Sequence, residues 1–332
     1  MKKILNEPYA YVDEMLAGLC LAHPEYYRQT GPAGRVIARA DGPVRGKVGI
    51  ASGGGSGHLP VFTGYVGKGL IDACAIGDVF SSPAVDQVAE AMRAADGGAG
   101  VLCLYGNYGG DKMNFDMACE MVEMEDIRTA TVRVADDVAS APPAERAKRR
   151  GVAGLVYAYK IAGAKAEERA TLEEVTRLAT KTADACRSIG VALTPCTVPA
   201  VGRPTFEISD SEMEIGMGIH GEPGVRRGPM RPADAIAEEM LGLLLADMPL
   251  GPGARVSVLV NSLGATPPEE LYIVYRFVAR RLEQMGVGIV MPLIGRYATS
   301  MEMAGMSLTC CYLDAELEAL LKAPCDCPFL KI

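Results

Sequence analysis

The chain has 332 residues, 49% of them hydrophobic, and a formal net charge of −8. That length can bury more than one core and points to two domains, while the acidic balance excludes a dominant nucleic-acid-binding surface. No window of about 20 apolar residues occurs, so no membrane span is expected. The two lysines of MKKILNEPYAYVDEM are not followed by the apolar run of a signal peptide.

In chain order, short apolar runs alternate with helical patterns. KVGIAS (47–52) reads as a buried strand ending in glycines, DACAIG (72–77) as a second strand, and PAVDQVAEAMRAA (83–95) as a helix. GVLCLYG (100–106) is a strand, KMNFDMACEMVEM (112–124) a helix and RTATVRVA (128–135) a strand. Two long helices are expected at 151–168 and 172–189. The second half gives strands at 191–199 and 205–219, a helix at 232–248, and a turn cluster, PLGPG, at 249–253. A strand at 254–264 follows, then an amphipathic helix at 267–286 with Pro at its start and Gly at its end, then strands at 287–295 and 307–313. The alternation implies an α/β fold of two α/β domains, each a mixed or mostly parallel sheet covered by helices. The expected division is 1–188, with a Gly-rich loop and Asp111, and 189–332, with His220.

Three features carry chemistry. The chain has three histidines, and two of them sit in glycine-rich loops: His58 in SGGGSGHLP and His220 in GMGIHGEPG. Glycine costs conformational entropy and belongs where the backbone must turn or be closely approached, so two such loops suggest one site. Asp111 stands in LYGNYGGDKMNF, where a strand gives way to a helix. It could be a helix N-cap or a carboxylate at the ligand-binding edge of an open sheet; with His58 on a neighbouring loop, the second is favoured. His220 could be an ordinary loop histidine, an acid–base, or a nucleophile toward a carbonyl with room left by its glycines. Glu207, Asp210, Glu212 and Glu214 alternate as one solvated strand face and receive no catalytic role, and Arg226 and Arg227 read as surface residues. No P-loop occurs, and Gly53, Gly55 and His58 fit the dinucleotide fingerprint imperfectly. The ten cysteines have no zinc-ligand spacing, and no metal site is expected. They read as small buried residues of a protein in a reducing cytoplasm.

GGGSGH, NYGGD, RRGVA, CTVPAVGRPTF, EMEIGMGIHGEPG and VNSLGATPPEELY, in that order, resemble the substrate-binding K subunit of dihydroxyacetone kinases from about residue 1 to 320. The resemblance implies a ketose kinase subunit that forms a homodimer. Its histidine, here His220, bonds covalently to the ketone carbon as a hemiaminal. Asp111 takes the proton of the hydroxyl being phosphorylated, and His58 assists. Gly54, Gly55, Ser56, Gly57 and Gly106 are the implied substrate-binding positions. The implied phosphoryl donor is ATP or ADP with Mg²⁺ on a separate L-type subunit, so no cofactor is expected on this chain; a phosphotransferase-system M-type subunit is a further implied partner. Two positions depart from the family pattern: Leu59 replaces an acid and Gly106 a lysine. The resemblance places both beside the pocket, where smaller, less polar groups would enlarge it and favour a ketose such as erythrulose over dihydroxyacetone. The alternative reading is a non-catalytic ketose-binding regulatory paralogue.

Overall fold

The computed structural model describes residues 2–332. Strands β1 (Tyr27–Thr30), β2 (Val36–Arg39), β3 (Gly49–Ser56), β4 (Ala73–Val79), β5 (Val101–Gly106) and β6 (Thr129–Val134) form a six-stranded sheet in the order β1-β2-β4-β3-β5-β6. Its core, β4-β3-β5-β6, is parallel, and β1 and β2 close one side antiparallel. The second sheet holds β7 (Cys186–Ala192), β8 (Glu212–Ile215), β9 (Arg226–Pro229), β10 (Arg255–Ser262), β11 (Gly288–Ile289), β12 (Leu293–Gly295) and β13 (Gly305–Tyr312). Its order is β11-β10-β13-β7-β8-β9, with β12 also on β10, and it is mixed: β11 and β12 run parallel to β10, and the other pairings are antiparallel.

Among the described residues, eight α-helices, α1 (Tyr11–Ala22), α2 (Val85–Ala95), α3 (Gly109–Glu123), α4 (Gly154–Glu167), α5 (Leu172–Ala185), α6 (Ala233–Asp247), α7 (Pro268–Gln284) and α8 (Ala315–Lys322), cover these sheets. Helices α2 and α3 share a core with the outer face of the first sheet, and α6 and α7 with the outer face of the second. Between the sheets lie α4 and α5. The sequence of α4, GLVYAYKIAGAKAE, has almost no polar stripe, and a helix apolar all round must be buried on all sides. Two of its tyrosines reach opposite ways: Tyr157 Oη lies 2.9 Å from Ser257 Oγ on β10, and Tyr159 Oη 2.7 Å from Ser52 Oγ on β3. Lys160, also buried, donates to the Leu320 carbonyl at 2.7 Å, and burial holds its ammonium down to about 8.

The α/β class and helix-covered sheets agree with the expectation; several boundaries do not. The expected strand at 47–52 runs on through the glycines to Ser56. A Cβ on Gly53 would sit 2.6 Å from the Ala75 carbonyl oxygen, one on Gly54 2.3 Å from the Phe62 ring, and one on Gly55 2.6 Å from the Ser81 nitrogen. These glycines are strand residues that let neighbouring chain come close. The helix expected to reach 189 stops at Ala185, because Cys186–Ala192 is taken into the second sheet between β13 and β8. The division at 188 therefore falls inside β7. The expected strand at 205–219 is only Glu212–Ile215, and that at 287–295 is broken into β11 and β12. Among the described residues, no helix is long and apolar enough to cross a membrane.

Candidate functional site

In the first sheet, β3 neighbours β4 on one side and β5 on the other, so the chain order reverses across it. The carboxyl ends of strands at such a point are where open α/β sheets hold ligands. The loop after β3 carries His58. It is pinned to the C-terminal half: the Met301 amide donates to the Gly57 carbonyl (2.8 Å), and the Thr299 hydroxyl to that of Leu59 (3.0 Å). His58 Nδ1 donates to the Thr299 carbonyl at 2.7 Å, which leaves Nε2 as the lone-pair nitrogen. That Nε2 is buried and has no partner. Burial, then the neighbouring His220, hold the imidazole down to about 3. Burial thus favours the neutral ring, whose Nε2 is free to accept a hydrogen bond.

The end of β5 leads through Asn107 and Tyr108 into α3. Asn107 donates from Nδ2 to the carbonyls of Ala147 and Arg149, at 3.0 and 2.8 Å, which fixes the turn. The helix begins at Gly109, with Tyr108 in the N-cap position and no side-chain cap. Asp111 lies inside the first turn and caps nothing, and its Oδ1 is buried without a partner. Burial raises its carboxyl to about 6, against a hydrogen bond from Ser82 and the charge of His220 that pull the other way. A carboxyl so tuned can take a proton near neutrality.

His220 comes from the second sheet, on the loop between β8 and β9. Its Nδ1 faces Glu222 Oε1 at 2.9 Å, and its backbone amide donates to Glu222 Oε2 at 3.0 Å. Burial of Glu222 opposes its ionisation, but the His220 hydrogen bond, then its charge, bring the carboxyl to about 2, so it is ionised. Arg150 backs it at 3.9 Å and is itself held by Asp137 Oδ2 (2.8 Å) and the Gly216 carbonyl (3.0 Å). The glycines make this packing possible. A Cβ on Gly218 would lie 2.1 Å from Glu222 Oε2 and 2.5 Å from Arg150 Nη1, while Gly216 and Gly221 have φ of 84° and 88°. Glu214, given no role from sequence, anchors the end of the loop by accepting from the Gly224 amide at 2.6 Å and from Arg227. Gly218→Ala is expected to push Glu222 off His220 and to cost about 1–3 kcal/mol of stability, measured by urea unfolding beside ketose titration.

The loops meet. The rings of His58 and His220 are 4.9 Å apart, and His220 also lies edge-on to Tyr108 (4.8 Å) and Phe80 (5.3 Å). His58, Asp111, His220, Gly55 and Gly106 line one small cavity, partly open to solvent, with Tyr108, Gly151 and Ile219. The third histidine, His23, packs against Tyr26, Tyr27 and Phe329. Not every expected residue reaches the cavity. Gly54 is backed by Phe62, and Ser56 and Gly57 line a separate cavity with Arg296, Thr299 and Glu302. Leu59 lines that second cavity as well, so the enlargement argued from Leu59 does not hold. Arg226 and Arg227 pair with Glu239 and Glu214. Glu222, Arg150 and Tyr108 went unnoticed as individual residues, although Glu222 sits two positions from His220 and Tyr108 is the tyrosine of NYGGD.

Comparison with known proteins gives the lineage. Residues 17–329 match the family model described as the Dak1 domain. The chain is 44% identical over 332 residues, all of both chains, to "PTS-dependent dihydroxyacetone kinase 2, dihydroxyacetone-binding subunit DhaK" of Listeria innocua. It is 42% identical to the D-erythrulose kinase of Mycolicibacterium smegmatis over all of this chain and 57% of that one. Among solved structures, the "dihydroxyacetone kinase operon co-activator Dha-DhaQ" superposes with a TM-score of 0.87 at 31% identity, over 94% of this chain and 96% of that one. With a family model spanning nearly its whole length and a full-length relative at 44% identity, the chain belongs to the Dak1 domain family.

Proposed function

We propose that this protein is the substrate-binding subunit of a ketose kinase, a phosphotransferase with an alcohol group as acceptor. It captures a short ketose on His220 and presents the terminal hydroxyl to a nucleotide-bearing partner subunit. The observation that carries this reading is the orientation of His220. Glu222 occupies Nδ1, which leaves Nε2 as the nucleophilic nitrogen beside a small cavity. As Nε2 adds to the ketone carbon, the ring gains positive charge, and the ionised Glu222 stabilises it as a carboxylate does behind an attacking or proton-accepting histidine. The carbon–oxygen π bond breaks, the oxygen takes up a proton, and the ring releases its Nδ1 proton, so the adduct is a neutral hemiaminal. Asp111 then accepts the proton of the hydroxyl that attacks the phosphorus. Phosphoryl transfer needs positioning and charge stabilisation above all, and a tethered ketose supplies the positioning.

A bond to the carbonyl also selects. Glycerol has no ketone and cannot form it. Calorimetric titration should show dihydroxyacetone and erythrulose binding and glycerol not binding; glycerol binding as well as the ketoses would contradict capture. With Mg²⁺, ATP and the nucleotide-bearing subunit, the ketose should be phosphorylated. The relatives include kinases named for dihydroxyacetone and for erythrulose. Of the two departures only Gly106 lines the cavity, and on it rests the expectation that kcat/KM for one erythrulose enantiomer at least equals that for dihydroxyacetone. A clearly higher value for dihydroxyacetone than for either enantiomer would remove it.

A second reading, a ketose-binding regulator that transfers no phosphoryl group, is favoured by the likeness to the operon co-activator. Both readings use His220. The transfer assay separates them: ketose binding without phosphorylation by the complete system supports the regulator.

A further inference from the structure

Three buried polar atoms of the cavity residues have no partner: His58 Nε2, Asp111 Oδ1 and Tyr108 Oη. Their chemistry differs. His58 Nε2 can only accept, because the ring's proton is on Nδ1, donated to Thr299. Asp111 Oδ1 accepts once the carboxyl is ionised. Tyr108 Oη carries a proton that burial, with Glu222 and Asp137 nearby, keeps in place far above neutral pH. Of the three, only Tyr108 is a standing donor.

A captured ketose presents both kinds of group. Its hydroxyls offer protons to acceptors, while its former carbonyl oxygen gains negative charge as the bond to His220 forms and needs a donor. We propose that Tyr108 is a catalytic residue whose hydroxyl donates to that oxygen, leaving His58 and Asp111 to accept from the ketose hydroxyls. The inference rests on covalent capture by His220. The placement fits: the Tyr108 ring stands edge-on to the His220 ring at 4.8 Å. Gly106 makes room for it, since a Cβ there would lie 3.2 Å from Tyr108 Cε2 and 3.3 Å from Cδ2. Donors aimed at a developing oxyanion in a site shielded from water are among the stronger contributions to catalysis.

The test is Tyr108→Phe, which keeps the ring and removes the hydroxyl. The affinity for dihydroxyacetone labelled with ¹³C at the carbonyl carbon is measured by titration, and the fraction converted to a histidine adduct by ¹³C NMR on protein with ¹⁵N-histidine. The expected result is at least a tenfold weaker affinity and a smaller adduct fraction at equal ketose concentration. The ligand-free variant should melt at or above the wild type, because an unpaired buried hydroxyl has been removed. Wild-type adduct formation with Tyr108→Phe within twofold of it in affinity and adduct fraction overturns the role of Tyr108 alone. A ligand-free variant melting well below the wild type overturns it too, since the hydroxyl would then be serving the fold. Absence of the adduct in the wild type overturns the His220 reading, and this inference with it.

Discussion

His220→Ala is expected to abolish ketose capture and to lower kcat/KM for phosphorylation on the order of 10³-fold or more, given that holding reacting groups in place is worth up to about 7–11 kcal/mol. A small, strongly hydrated ketose has few apolar atoms with which to bind, so losing its bond to the protein removes most of its hold. The fold should tolerate the change. His220 is partly exposed, and Glu222 keeps Arg150 at 3.9 Å as an alternative partner. Calorimetric titration and a coupled phosphorylation assay check both halves. Ketose binding and turnover both retained in the alanine variant would remove His220 from the mechanism.

Asp111→Asn should behave differently: ketose binding persists while kcat falls about 10²–10⁴-fold, the usual contribution of a positioned base. The wild-type rate should rise with pH through about 6, as the Asp111 carboxyl loses its proton, and this limb should vanish in the variant. Stability gives an independent reading with a fixed sign. A carboxyl raised from 3.8 to about 6 is harder to ionise in the folded chain than in the unfolded one. Folding is therefore unpenalised below about pH 4, loses stability as pH rises toward 6, and stays lower above it. The asparagine variant escapes this, so its advantage over wild type should grow across that window to about 1–3 kcal/mol at pH 8. An advantage independent of pH would show that Asp111 is not the group being titrated.

Much of this site was legible in the sequence because its signals are local. Glycines around a single histidine mark a backbone under unusual demands, and both His58 and His220 proved to sit where that logic placed them, 4.9 Å apart. What was misread depended on contacts distant in sequence. The glycines that read as a loop are strand residues of β3, whose missing side chains make way for Phe62, Ala75 and Ser81, while Gly55 also lines the cavity. Leu59 follows His58 directly but faces the other cavity, since the loop is pinned to residues 299–301 of the far half. Arg150 reaches Glu222 from 72 positions away, a pairing no local spacing announces. Asp111 offered two readings, helix N-cap and ligand-edge carboxylate, with the second favoured; its place inside the first turn, after Tyr108 in the cap position, removes the first, and its Oδ1 is buried without a partner.

The most direct measurement of the central claim is a ¹³C spectrum of dihydroxyacetone labelled at its carbonyl carbon, bound to protein carrying ¹⁵N-histidine. The account predicts that the carbonyl signal is replaced by a tetrahedral-carbon signal split by one-bond coupling to ¹⁵N, and that His220→Ala shows no such signal. A saturated wild-type protein whose bound ketose keeps an uncoupled carbonyl resonance, or an adduct that survives in His220→Ala, would contradict covalent capture at His220.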